Sequence, residues 1–442
     1  MNSFGASILI IVAIVVWAAP RRWVAIGLMA AVLYLPQAQQ IEIGGLNLFG
    51  VRILGFVAFL RVMSRREFSF TQLNSIDSMV LVFYAYKAGV HLLRSTEEWG
   101  SVLGPALDAC LCYLVFRGVI RNYEEFDWFL RGFLIVLAPF VTIVIVESFT
   151  GNNMLAVMGG RVAGLNWTRG NRVRCFGSFQ HPSLLGTLGA SFLPIYIAMI
   201  FDRVHRVFAI IGLGFCFAII FASNSGGPLN MAATGAVAWF FWRMREKMRE
   251  VRWCIVGMLV MLALVMEAPI WYLPARLGQI TGGDGWHRSF LLDVSFQHFG
   301  EWWFSGMSLK DTKGWFPYDL EGTGGADITN QFIALGLGAG IGAIVLFIDL
   351  LVRAFSSLGK AMACIRLNWS LNRKSEFMLW GLGGTLVAHI ANWQGISYFD
   401  QTYVIWCLQL AAISSLSDSL LLPYRGATDV EHTSTFPVST LG

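Results

Sequence analysis

Thirteen apolar runs, at residues 5–19, 23–36, 47–63, 75–93, 99–117, 127–148, 183–201, 206–222, 228–243, 253–272, 329–353, 377–392 and 400–421, follow one another along the chain. Most approach the roughly 20 residues that a helix needs to cross a hydrocarbon core of about 30 Å. A backbone immersed in hydrocarbon must satisfy its own hydrogen bonds, so only helices or a closed barrel can span. A barrel strand alternates polar with apolar residues, whereas Ala6 to Ala19 and Phe133 to Val146 are apolar on every side. With 56% hydrophobic and 13% charged residues, a soluble domain is excluded. The expected fold is all-α: a polytopic transmembrane bundle of about 12–13 spans, with residues 1–421 as one integral membrane domain. The lower count applies if one of the short first two runs, or the run 377–392 diluted by Gly381, Gly383 and Gly384, is re-entrant. The first run has no basic segment before it and is followed by Pro20, Arg21 and Arg22, which fits a retained span better than a cleaved signal. The Thr- and Ser-rich tail, 422–442, is expected to be disordered and cytoplasmic.

The cations orient the bundle. Arg21/Arg22, Arg61/Arg65/Arg66, Arg117/Arg121, Arg203/Arg206, the run Arg243 to Arg252 and the run Arg353 to Lys374 all follow odd-numbered spans. By the positive-inside rule every second loop is cytoplasmic, the N-terminus lies outside and the C-terminus inside. The net charge of +5 therefore reflects loop placement and gives no nucleic-acid footprint. The seven cysteines show neither a disulfide framework nor zinc spacing, and no metal or cofactor is expected.

Two polar segments, 149–182 and 273–328, fall on the outer, non-cytoplasmic side. The first carries Arg161, Arg169, Arg172 and Arg174 where loop cations are ordinarily scarce, which points to an anionic ligand. It runs through His181 and Pro182 into an apolar span, so a helix start would aim free N–H groups at the same surface and make a phosphate seat. Bonds from these arginines to lipid headgroups are the plainer alternative. The second segment holds His287 and Arg288, then apolar residues at helical spacing that fit an interfacial helix. Trp315, Glu321, Asp327 and Asn330 follow. Within the spans, Lys87 and Asp108 are expected to pair at similar depth, and Glu147 to be solvated at a span end.

Arg174 to Pro182 (R-C-F-G-S-F-Q-H-P), Ser223 to Pro228 (S-N-S-G-G-P), Arg288, the turn Phe304-Ser305-Gly306, and Thr329-Asn330-Gln331-Phe332 leading into Gly336 to Gly342 occur in that order. In this order the segments resemble the bacterial O-antigen polymerase and ligase family of polytopic glycan transferases, over about residues 150–350. Ser183 stands where the family usually has asparagine, Gly226 where it has arginine, and Thr329 where it has histidine. These departures favour a polymerase over a ligase.

The resemblance implies transfer of a glycan from an undecaprenyl-pyrophosphate carrier to a sugar hydroxyl, on the periplasmic face of a bacterial inner membrane, without metal or nucleotide sugar. A ligase acting on lipid A core or protein is the alternative, and a transporter of a small anion a second one. The implied partners are the lipid-linked oligosaccharide, the glycan acceptor, the bilayer and a chain-length regulator protein; nucleic acid is not among them. Arg172, Arg174 and Arg288 would hold the pyrophosphate, with Arg161 and Arg169 behind them. Asp327 is the first choice of base, followed by Glu321, His181 and His287. Asn330 and Trp315, with His287, would line the substrate.

Overall fold

The computed structural model describes residues 1–43, 46–94, 99–162, 167–273, 285–316, 325–367 and 373–433. Each of the thirteen apolar runs falls on a helix: α1 (Ser3–Ala18), α2 (Arg22–Tyr34), α3 (Gly50–Ser64), α4 (Ser75–Arg94), α5 (Trp99–Val119), α6 (Tyr123–Thr150), α7 (Pro182–Ile200), α8 (Arg206–Ser223), α9 (Gly226–Phe240), α10 (Met248–Val265), α13 (Gln331–Leu367), α14 (Arg373–Trp393) and α15 (Thr402–Thr433). Two further helices, α11 (Gly285–Gln297) and α12 (Phe299–Trp302), lie in the second polar segment. The only strands among the described residues form two antiparallel hairpins, β1 (Gln40–Ile43) with β2 (Leu46–Phe49) and β3 (Thr168–Arg169) with β4 (Arg172–Val173).

Six of the helices, α4, α6, α7, α8, α13 and α15, are long and apolar enough to cross a membrane. Several others are too short: the 13 residues of α2 and the 15 of α3 and α9 reach only about 20–23 Å at 1.5 Å per residue. The last helix runs to Thr433, so it continues into the tail expected to be disordered.

Helix α7 is the axle. Nearly all its residues are buried, among them Thr187 and Ser191, and it packs against α8, α9 and α14. Small residues allow the close approach. A methyl on Gly189 would lie 2.7 Å from the Cys216 carbonyl of α8, and one on Gly235 of α9 would lie 2.7 Å from the ring of Pro194. On the other side α15 packs against α5 and α13.

The glycine-rich run of α13 is where the helix breaks. Gly340 has φ of 72°, and a Cβ there would come 2.2 Å from the Phe304 carbonyl oxygen. The loop after α12 inserts at this point and satisfies the freed backbone groups. Ile341 N–H donates to Trp303 O at 2.7 Å, while Leu337 O accepts Met307 N–H at 2.9 Å and Arg94 Nη1 at 3.2 Å. A broken helix is tolerated in an apolar setting only when its backbone groups are satisfied in this way.

Candidate functional site

The two polar segments lie at the same end of the bundle, by the C-terminus of α6 and the N-termini of α7, α9 and α13. Glu147 organises the first. Expected to be solvated, it is instead fully buried on α6, and its carboxylate accepts Phe176 N–H at 2.8 Å and Gly177 N–H at 2.9 Å. Two backbone donors satisfy the buried charge and pin the loop just before α7. Gly177 turns there with φ of 55°, leaving no room for a side chain against Phe140.

The R-G-N-R sequence closes the β3–β4 hairpin and pairs Arg169 with Arg172. Asn224, at the C-terminus of α8, donates to both of their carbonyls at 3.1 Å. Arg172 is committed: its guanidinium donates to Phe221 O at 2.6 Å and lies 3.6 Å over the Phe221 ring. It thereby caps the negative end of α8. Arg174 is different. Half-buried over Trp167 at 5.5 Å, its Nε has no hydrogen-bond partner. Burial, then the charge of Arg169, draws its pKa below the ordinary arginine value. Arg161, Arg169, Arg172 and Arg174 have no carboxylate partner among the described residues. Arg169 reaches to within 3.6 Å of where a Cβ on Gly226 would lie, beside the turn where the resembled family carries its arginine.

His181 caps α7, its Nδ1 accepting Ser183 N–H at 3.1 Å. Burial, followed by the charges of Arg174 and Arg161, lowers its pKa to about 4. It is therefore neutral at physiological pH, with its free nitrogen a donor, and ill-suited to be a base. Cys175, in the same loop, is fully buried.

In the second segment the Arg288 guanidinium packs on Gly395, where an added Cβ would lie 2.9 Å from its Cζ. His287 is stacked on Phe316 at 4.5 Å, and its Nε2 lies 3.2 Å from the Asp327 carbonyl oxygen. The Asp327 side chain is exposed at the rim. Asn330 is a helix cap: its Oδ1 accepts Phe332 N–H at 2.9 Å and Ile333 N–H at 3.2 Å at the start of α13. Trp315 does not offer a face to a sugar, because it is 5% exposed within a small core and stacked on His298 at 5.1 Å. Glu321 lies outside the described residues.

A third segment, which the sequence did not single out, ties these two together: the loop Gln394 to Gln401 between α14 and α15. Gln394 accepts from Asn330 Nδ2 at 3.3 Å, Ser397 donates to Ile328 O at 2.9 Å, and Tyr398 N–H donates to Gln331 at 2.6 Å. On the other side Asp400 accepts Gln180 N–H at 2.8 Å, and the Phe399 ring lies 6.5 Å from that of His181. Asp400 has φ of 57° and is 7% exposed; burial, partly offset by backbone N–H donors, lifts its carboxyl to about 8. Below this loop lies a cavity of about 310 Å³, whose walls include Lys87, Asp108, Phe399 and Asp400. The expected Lys87–Asp108 pair does not form. Arg52, on the first turn of α3, takes both Asp108 oxygens at 2.8–2.9 Å, and a bidentate guanidinium outcompetes a lone ammonium.

No protein-family model matches the chain, and no curated protein matches it. The arrangement is therefore read from its chemistry: a cluster of cations without counter-charge, a helix N-terminus, a buried carboxyl poised near neutral pH, and a cavity beside them.

Proposed function

We propose that the chain is an O-antigen or exopolysaccharide polymerase of a bacterial inner membrane, with the arginine-bearing end on the periplasmic face and the C-terminus in the cytoplasm. The donor is a glycan on undecaprenyl pyrophosphate and the acceptor a sugar hydroxyl. The observation that carries the reading is Arg174: a half-buried guanidinium with an unsatisfied Nε, amid other arginines, beside the N-terminus of α7. Burying a cation without a partner is costly, and a bidentate phosphate oxyanion is the ligand that repays it.

In this reading the acceptor oxygen attacks the anomeric carbon, the bond from that carbon to the pyrophosphate oxygen breaks, and the carrier leaves as its pyrophosphate. Charge grows on that leaving group, where Arg174, Arg169 and Arg161 stabilise it, with Arg288 on the facing side. Arg172 contributes mainly by holding the hairpin. The acceptor proton passes to a carboxylate within hydrogen-bond reach. Asp400 suits this role better than the rim residue Asp327 or the neutral His181, because its pKa of about 8 is matched to the working pH. His287 and Asn330 position the second segment, and a chain-length regulator is the expected protein partner.

The test is glycan profiling of cells that carry Arg174→Ala in place of the native chain. The expected result is loss of long polymer, with a single repeat unit still attached to the surface glycan. Full polymer at normal membrane abundance of the variant contradicts the reading. Loss of all attached glycan while lipid-linked polymer accumulates indicates a ligase instead.

A further inference from the structure

The cavity beneath the α14–α15 loop is more than a void between helices. Half its lining residues are aromatic, among them Phe83, Phe347, Trp393 and Trp406, and its few polar groups include Lys87, Asp108 and Asp400. Such a mixture suits a sugar, whose C–H faces pack on aromatic rings while its hydroxyls take isolated hydrogen bonds.

Three of the wall residues carry hydrogen-bond donors that the protein leaves unused. Lys87 makes no ion pair or hydrogen bond among the described residues, since Asp108 is consumed by Arg52. Its stem lies beside Gly338, next to the break in α13. Trp393, 1% exposed, has an Nε1–H without a partner, and so does the hydroxyl of Tyr403. Native proteins rarely leave buried donors unpaired, and a lysine unpaired within an apolar bundle is rarer still. The Trp393 and Tyr403 donors have no surface open to the cavity, so the polar group this aromatic wall offers a ligand is the lysine, which calls for a full negative charge.

We infer that this cavity is a subsite for an acidic sugar residue, with Lys87 as counter-ion to its anionic substituent and the aromatic walls against the ring. The inference rests on the transferase reading and deepens it: the glycan handled would carry a uronic acid or an equivalent anionic group. Asp400, in the same wall, would then face a hydroxyl of the bound sugar.

The test is binding to the purified full chain in lipid nanodiscs, followed by intrinsic tryptophan fluorescence, because Trp393 and Trp406 line the cavity. The probes are a glucuronic-acid-containing tetrasaccharide, a neutral tetrasaccharide of equal length, and inorganic pyrophosphate. The acidic tetrasaccharide is expected to bind tightest. Lys87→Met, which keeps the stem and removes the charge, should weaken it by about ten- to a hundredfold, as expected for losing a charge-assisted hydrogen bond in a desolvated site. Lys87→Arg should recover part of the loss, and binding of the neutral probe should not change.

Equal binding of the two tetrasaccharides, or an undiminished affinity in a folded Lys87→Met variant, overturns the inference. So does pyrophosphate binding that depends on Lys87, which would make the lysine part of the carrier site. The two readings fail separately. Loss of polymer in Arg174→Ala cells without acidic-sugar binding keeps the transferase and removes the subsite; Lys87-dependent binding in a chain that needs no Arg174 does the reverse.

Discussion

The two ends of the bundle use the same residue types in opposite ways. At the end away from the arginine loop, the cations that are not exposed are matched to carboxylates. Arg117 is clasped by Asp77 at 3.1 Å and Asp418 at 2.8 Å, Arg131 by Asp127 at 3.0 Å, Lys374 by Asp202 at 2.7 Å, and Arg366 by Glu376 at 2.7 Å. The one cluster with metal-ligand geometry among the described residues, Asp127, Asp202 and His205, sits here with two of these cations against it. At the opposite end Arg161, Arg169, Arg172 and Arg174 have no such partner among the described residues, and Arg174 is half-buried. Matched charges lock helices together. Unmatched charges held beside a helix N-terminus suit an anionic ligand.

This contrast can be broken by mutation. Arg117→Ala should have the largest effect, a loss of about 3–5 kcal/mol, because it strands the fully buried Asp77; thermal unfolding in detergent and membrane abundance measure it. Arg174→Ala should leave unfolding near wild type and lower the transfer rate by about a hundredfold or more, the scale of removing a transition-state cation. If Arg174→Ala unfolds the protein as Arg117→Ala does, the contrast is false.

The pH profile sharpens it further. In the proposed role Asp400 acts as its carboxylate, so the rate should rise with pH and level off above about 8, losing about tenfold per unit below that. Asp400→Asn should remove both the rate and the limb. A profile flat from pH 6 to 9 rules Asp400 out as the base. The smallest effect is expected of Arg172→Ala, within about tenfold, since its guanidinium is already spent on the Phe221 carbonyl.

Much of this was legible in the sequence, for specific reasons. Apolar runs mark helices because hydrocarbon admits little else, and all thirteen runs lie on helices. The arginine segment was visible as a polar interruption and the Ser223 to Pro228 turn only as part of the resemblance; the structure brings the start of α7 against that turn, with the Ser183 and Ser225 hydroxyls 2.6 Å apart. The loop Gln394 to Gln401 was not legible, because it is short and its role lies in joining segments more than 60 residues away. Pairing by depth alone failed for Lys87 and Asp108, since depth does not reveal which helix lies between them, and Arg52 arrives from α3. Trp315 looked available because spacing cannot separate an aromatic in a small core from one on a surface. The break in α13 left a glycine run in the sequence, but the inserted loop that makes the break affordable shows only in three dimensions.

The central claim is that Arg174 holds the pyrophosphate of a lipid carrier. Its most direct test is a titration of the purified chain in nanodiscs with undecaprenyl pyrophosphate and, in parallel, with undecaprenol. Wild type should prefer the pyrophosphate by at least about a hundredfold, and Arg174→Ala should lose most of that preference while still binding the bare lipid equally well. Equal affinity of wild type for the two lipids, or a preference that survives in Arg174→Ala, would contradict it.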